Sequence, residues 1–281
     1  TPIAEIETND SMVSNYGSPF LLNGTASDID GYIVEYRWES SLNGIIGDAL
    51  SFETSVLSMG NHTIYFAVRD NDNQWSEADN LTIRINSYPE IINVNWLQSE
   101  VYRYEHVILS GEIYDDNNSV SEMDYIMEYR NLSGEMNWES YNSSFTFVEN
   151  NYFEANFSAD YSFESTYYDF RVVATDNDNA TTVVYYNQSL KIKNSHPEIY
   201  EVFYSDDVVH EGNYLYLYGN YTDDVFVMDH EWLSDIEGLF STNETVAIDS
   251  LSPGNHQITY RVYDNEGFTT ESMIFVRING L

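Results

Sequence analysis

The sequence predicts an all-β chain of three tandem sandwich modules in an elongated array, and three observations carry that expectation. Alternation of Val, Ile, Tyr, Phe and Thr with polar residues runs through the chain, broken roughly every 8–12 residues by Gly, Asn, Asp or Pro. No segment holds a helical period over three turns, so helix should be scarce. Three short phrases each recur in one fixed order, and 281 residues exceed the ~100 that one β-sandwich needs.

The first phrase marks the junctions. Asn86-Ser87-Tyr88-Pro89-Glu90-Ile91 returns as Asn194-Ser195-His196-Pro197-Glu198-Ile199, and Thr1-Pro2-Ile3-Ala4-Glu5-Ile6 echoes it. Proline fixes φ and holds its predecessor extended, so each junction reads as a short, stiff linker feeding a first strand. The modules are therefore 1–87, 88–195 and 196–281. The second phrase is Leu-x-Gly-x-x-x-Asp, carried by Leu22, Gly24 and Asp28, then Leu109, Gly111 and Asp115, then Leu217, Gly219 and Asp223. The third is an alternating strand that ends in an acidic turn, at Asp70-Asn71-Asp72, Asp176-Asn177-Asp178 and Asp264-Asn265-Glu266.

Composition narrows the function classes. The formal charge of −37 sets 47 acidic residues against 10 basic ones, a field that repels nucleic acid and anionic lipid and suits saline surroundings or divalent cations. Cysteine is absent, so cores and ions must stabilise the modules without disulfides. No apolar run approaches the roughly 20 residues of a membrane span. With neither an initiator methionine nor a signal segment, the chain reads as part of a longer polypeptide whose membrane anchor lies outside it.

Tyr36-Arg37-Trp38-Glu39-Ser40-Ser41-Leu42-Asn43-Gly44 with Leu57-Ser58-Met59-Gly60-Asn61-His62, and Glu231-Trp232-Leu233-Ser234 with Leu251-Ser252-Pro253-Gly254-Asn255-His256, give modules one and three a family likeness. They resemble the PKD and related Ig-like domains of bacterial and archaeal surface proteins. The resemblance implies Ig-like β-sandwiches with spacer, adhesion or interaction roles and no catalysis of their own. Both outer modules lack the family's glycine-aspartate-glycine turn after the tryptophan. Module two lacks the tryptophan, with Tyr125 or Tyr129 the nearest substitutes.

In an Ig-type sandwich the loops after the second and sixth strands share one end. Asp28 and Asp30 are thus expected near Asp70 and Asp72, Asp115 and Asp116 near Asp176 and Asp178, and Asp223 and Asp224 near Asp264 and Glu266. Four converging acids would repel unless neutralised, and hard oxygen donors suit Ca²⁺, the cofactor expected at these poles. The competing expectation is that Asp and Asn bond the turn backbone and the excess charge is solvated. Trp38 and Trp232 are expected in the core, and His62 and His256 at turns or strand edges. The run Tyr214-Leu215-Tyr216-Leu217-Tyr218 is a candidate aromatic face.

No nucleophile elbow, cysteine nucleophile, zinc motif or phosphate loop is present, so no catalytic residue is assigned. Asn-x-Ser/Thr occurs at Asn9, Asn23, Asn61, Asn80, Asn117, Asn131, Asn142, Asn156, Asn179, Asn187, Asn220 and Asn243, against about five expected from composition, which points to glycosylation of a secreted chain. Asn156 and Asn220 fall within predicted strands. The leading expectation is a non-catalytic extracellular stalk, spacer or adhesion segment that contacts cell-surface proteins or glycans. The rivals are a carbohydrate- or protein-binding accessory region of a secreted hydrolase, and a self-associating subunit of a surface layer or filament.

Overall fold

A computed structural model describes residues 1–116, 118–134, 137–148, 151–186 and 189–280. Module one contributes β1 (Ile3–Ile6), β2 (Met12–Asn15), β3 (Phe20–Ser27), β4 (Ile33–Ser40), β5 (Gly44–Gly47), β6 (Ser51–Thr54), β7 (Gly60–Asp70) and β8 (Asp79–Asn86). One sheet runs β1-β3-β6 and the other β2-β8-β7-β4-β5, so the first run of extended chain is divided between the two. Only β2 pairs in parallel, against β8.

Module two contributes β9 (Glu90–Trp96), β10 (Glu100–Tyr102), β11 (His106–Tyr114), β12 (Asp124–Asn131), β13 (Glu139–Tyr141), β14 (Phe145–Val148), β15 (Tyr152–Ser158), β16 (Tyr167–Thr175), β17 (Thr181–Tyr185) and β18 (Leu190–Lys193). Its sheets run β14-β15-β11-β9 and β10-β18-β16-β12-β13, with β17 also on β16. Module three contributes β19 (Glu198–Tyr204), β20 (Val208–His210), β21 (Leu215–Thr222), β22 (Val227–Ser234), β23 (Gly238–Ser241), β24 (Thr245–Ile248), β25 (Gly254–Asp264) and β26 (Thr269–Asn279). Its sheets, β19-β21-β24 and β20-β26-β25-β22-β23, repeat module one strand for strand. Each module is an Ig-like sandwich, and the chain is an all-β array of three. Among the described residues no helix is long and apolar enough to cross a membrane.

The alternation seen in the sequence is the burial pattern of the strands. Along β25 every second residue from His256 to Asp264 is buried, because a strand with one face on the core turns successive side chains in and out. Trp38 and Trp232 are fully buried, stacked on Phe66 at 4.2 Å and on Tyr260 at 4.4 Å, and their indole N–H groups donate to the Ala49 and Asn243 carbonyls. The Leu-x-Gly phrase follows from this packing. Leu22 and Leu217 enter the core, while a Cβ on Gly24 would stand 2.6 Å from the Phe66 ring and one on Gly219 2.0 Å from that of Tyr260. Only glycine lets the facing aromatic lie against the backbone.

Module two fills its core differently. In register with Val172, the position that Trp38 holds opposite Phe66 belongs to Met127, which is fully buried. Tyr125 and Tyr129, the expected substitutes, are only half-buried, since their hydroxyls bond the Val120 carbonyl and Glu139 outside the core. The indole comes from the opposite sheet, where Trp96 packs edge-on to Phe170 at 4.9 Å.

His62 and His256 are also placed differently from the turn or strand-edge position expected. Both are 1% exposed on β7 and β25, each with Nδ1 2.7 Å from the hydroxyl of Ser40 or Ser234 and Nε2 against the carbonyl of Ser58 or Ser252. The serine oxygens also accept the Leu42 and Asn43, or Ile236 and Glu237, backbone N–H groups. Each pair is a buried clasp that ties a strand to a turn.

Candidate functional site: acidic poles at the module junctions

Asp70, Asp176 and Asp264 end equivalent strands, are at most 4% exposed and do the same local work. Each Oδ1 accepts two backbone N–H groups of its own turn: Asp72 and Gln74, Asp178 and Ala180, Glu266 and Phe268, all at 2.8–2.9 Å. Asp115 Oδ1 takes the Asn118 N–H and Asp223 Oδ2 the Val225 N–H in the neighbouring loop. Asp30, Asp72 and Asp116 are exposed. The expectation of turn chemistry thus describes half of each buried carboxylate.

The other half of Asp176 and Asp264 faces the preceding module. At the first junction the side-chain amide of Asn86, at the end of β8, donates to Asp176 Oδ2 at 2.8 Å, and Arg84 pairs with Asp178 at 2.6 Å. At the second junction the Asn194 amide donates to Asp264 Oδ2 at 2.6 Å. Arg103, 5% exposed, donates there to the Phe163 carbonyl, to Asn194 Oδ1, to Asp224 at 3.2 Å and to Glu266. Ser165 donates to the second Glu266 oxygen, and the Ser195 N–H to Asp224. Burial by itself would lower the Arg103 pKa, but Glu266 and Asp224 outweigh it and hold it above the ordinary value.

At poles two and three an amide and a guanidinium thus bond the carboxylates. Among the described residues no group of three or more His, Asp or Glu side chains is arranged to hold a metal ion. Pole one has other partners. Asp28, with a side chain 3% exposed, has Oδ1 buried without a hydrogen bond, and the Thr1 amine stands 3.6 Å away and 3.8 Å from Asp30. Burial pushes the Asp28 carboxyl above the ordinary range, and Asp30 and Asp70 add to it. Burial raises Asp223 as well, opposed by the Val225 N–H and reinforced by Asp224 and Asp264.

Sequence reasoning passed over Arg84, Asn86, Arg103 and Asn194, although Asn86 and Asn194 open the repeated junction phrase. It also passed over two tryptophans held on the outer sheet faces. Trp75 lies between Arg37 and Arg69 at 4.5 and 5.8 Å, and Trp138 between Arg130 and Arg171 at 4.7 and 4.4 Å. Tyr214, Tyr216 and Tyr218 all face solvent, with exposed Phe203 directly across the strand pair from Tyr218. Of the glycosylation candidates, Asn9, Asn61, Asn80, Asn142, Asn179 and Asn243 are exposed, and Asn23 and Asn131 are partly buried, while the two sequons set apart, Asn156 and Asn220, lie in strands as expected. Asn117 and Asn187 lie outside the described residues.

No family model matches the chain, and no curated protein does. Among solved structures it is similar to the titin I-band fragment I67–I69 at 13% identity, covering 100% of this chain and 99% of that one with a TM-score of 0.48. It is also similar to the mouse nectin-like molecule 4 ectodomain, at 12% identity over 97% of this chain and 98% of that one, TM-score 0.41. Fibronectin(III)-like modules of Clostridium thermocellum CbhA match at 23% identity over 30% of this chain and 98% of theirs, TM-score 0.28. The Ig-like assignment rests on the strand order above.

Proposed function

We propose that the chain is a non-catalytic spacer segment of an extracellular or cell-surface protein, with successive Ig-like modules held at set angles by polar plugs. The observation that carries this reading is Arg103, buried between modules two and three and bonded to both, with the Asn–Asp contact of the second junction repeated at the first. A short proline linker limits the spread of angles between modules but makes no contact that selects one of them. Buried contacts between modules supply one, and a projecting stalk needs it. Calcium and glycans on the exposed sequons would add to such a stalk without replacing the plugs.

The test uses the absence of native cysteine. Spin labels at Asn142→Cys in module two and Asp249→Cys in module three, both exposed, report the distance across the second junction. A narrow distribution that broadens in Arg103→Ala supports the spacer. A broad distribution in the parent protein, unchanged by Arg103→Ala, sinks it.

A second reading has one observation in its favour. The exposed ring row of Tyr214, Tyr216 and Tyr218 with Phe203 suits stacking against sugar rings in an accessory binding region. Glycan-array binding lost in Tyr216→Ala supports that role, and an empty array removes it.

A further inference from the structure

Three asparagines in the chain are followed by glycine: Asn23, Asn43 and Asn279. A glycine has no side chain to shield its own backbone nitrogen, and that nitrogen is tethered next to the carboxamide of the asparagine before it. The fold separates the three. Asn23 lies in β3 with its amide on Glu7 at 2.6 Å, and the Gly24 N–H donates to the Leu50 carbonyl at 3.2 Å. Asn279 lies in β26, in register with His210 of β20. Asn43 closes the exposed turn between β4 and β5, and Gly44 opens β5 at a φ of 69°.

The carboxamide of Asn43 is also polarised. Its Oδ1 accepts the Ser58 N–H at 3.0 Å and the Ser58 hydroxyl at 3.2 Å. Ser58 is fixed by the clasp, since its carbonyl meets Nε2 of the buried His62, whose Nδ1 meets Ser40, and the Ser40 oxygen accepts the Asn43 N–H. Two donors aimed at one carbonyl oxygen stabilise the negative charge that grows there when a nucleophile attacks the carbon. Module three builds the same clasp from Ser234, Ser252 and His256, but its acceptor is an anion. Glu237, followed by Gly238, takes the Ser252 N–H at 3.0 Å and the Ser252 hydroxyl on one carboxylate oxygen. Those bonds hold the Glu237 carboxyl below its ordinary range. One turn therefore holds a carboxamide in module one and a carboxylate in module three.

We infer that Asn43 is a self-modification site, deamidated by its own turn with water as the co-reactant, and that the clasp retains the aspartate product. The Gly44 nitrogen attacks Asn43 Cγ. The N–Cγ bond forms, the Cγ–Nδ2 bond breaks, and the amide nitrogen leaves as ammonia with the Gly44 proton. Water then opens the cyclic imide. Opening at Cγ gives aspartate, which accepts the Ser58 donors as Glu237 accepts those of Ser252. Opening at the backbone carbonyl gives isoaspartate, with the main chain rerouted through Cγ. Either product adds a negative charge that the sequence does not encode, so the charge of this turn records the age of the molecule.

The experiment incubates the folded chain, and the chain unfolded in urea, in the same mildly alkaline buffer. Peptide mass and isoaspartate content are followed at Asn43 and Asn23. The expected result is a gain of one dalton at Asn43 in the folded chain, within about tenfold of its rate in urea, while folding slows Asn23 by far more than tenfold. Asn43→Asp, the product, is expected to melt with the parent protein. Folding that slows Asn43 as much as Asn23 overturns the inference, because the turn then shields the amide. So does an Asn43→Asp chain that melts well below the parent, because the clasp then rejects the product. Either failure leaves the spacer reading intact, since that rests on contacts at the junctions.

Discussion

The two junctions use the same asparagine–aspartate contact but anchor it with different arginines. At the second, Arg103 comes from the turn after β10, reaches under the module and is sealed, with a side chain 2% exposed. At the first, Arg84 lies along the face of β8 with its side chain 28% exposed, against an Asp178 that is 16% exposed. Desolvation makes the first pair a surface clip and the second a buried pin, because a charge in low dielectric cannot exchange its partner for water. The difference teaches that similar acidic poles, built from one repeated phrase, do not give equal junctions.

The comparison breaks most sharply at Arg103. Arg103→Ala leaves Asp224 and Glu266 facing each other without their cation and should cost about 3–5 kcal/mol, seen as module three melting apart from module two in calorimetry. A single unaltered transition would show that the pin does not couple them.

Next in size are Asn194→Ala and Asn86→Ala, each of which strands a buried aspartate oxygen at a cost of about 1–3 kcal/mol. Equal losses in denaturant melts would mean that the amide contact is common to both junctions and only the arginine distinguishes them. Arg84→Ala should cost about 0.2–1 kcal/mol, with a salt dependence that the Arg103 variant lacks.

The smallest effect concerns the first pole. The Asp28 pKa is raised above the ordinary 3.8, so between those two values the folded chain holds a proton that the unfolded chain has released. Its contribution therefore favours folding at low pH and is lost as pH rises through the raised value. Asp28→Asn should raise the melting temperature at neutral pH, with the gain fading as the pH approaches 3.8. A gain that stays constant with pH would show that the carboxyl is not the cause.

Much of the architecture was legible from residues alone. The alternation in Ile258-Thr259-Tyr260-Arg261-Val262 and the Asp70, Asp176 and Asp264 turns are settled within a few residues of chain, where period and local hydrogen bonding act directly. What the poles touch was not legible. Arg103 meets Glu266 across 163 positions and Asn86 meets Asp176 across 90, and the sequence carries no distance-independent sign that one will cover the other. The same limit hid Met127 behind the tyrosines of its own strand, since the indole that completes that core arrives from Trp96 on the facing sheet.

The sequence by itself thus determined three sandwiches, their order and the acidic turns at their ends, because strand period, proline linkers and Asx geometry are local properties. Only the tertiary structure decided that the second and third of those turns are bonded by the module before them. That outcome depends on which surfaces the folded modules bring within 3 Å of each other, at contacts such as Asn194 to Asp264 at 2.6 Å.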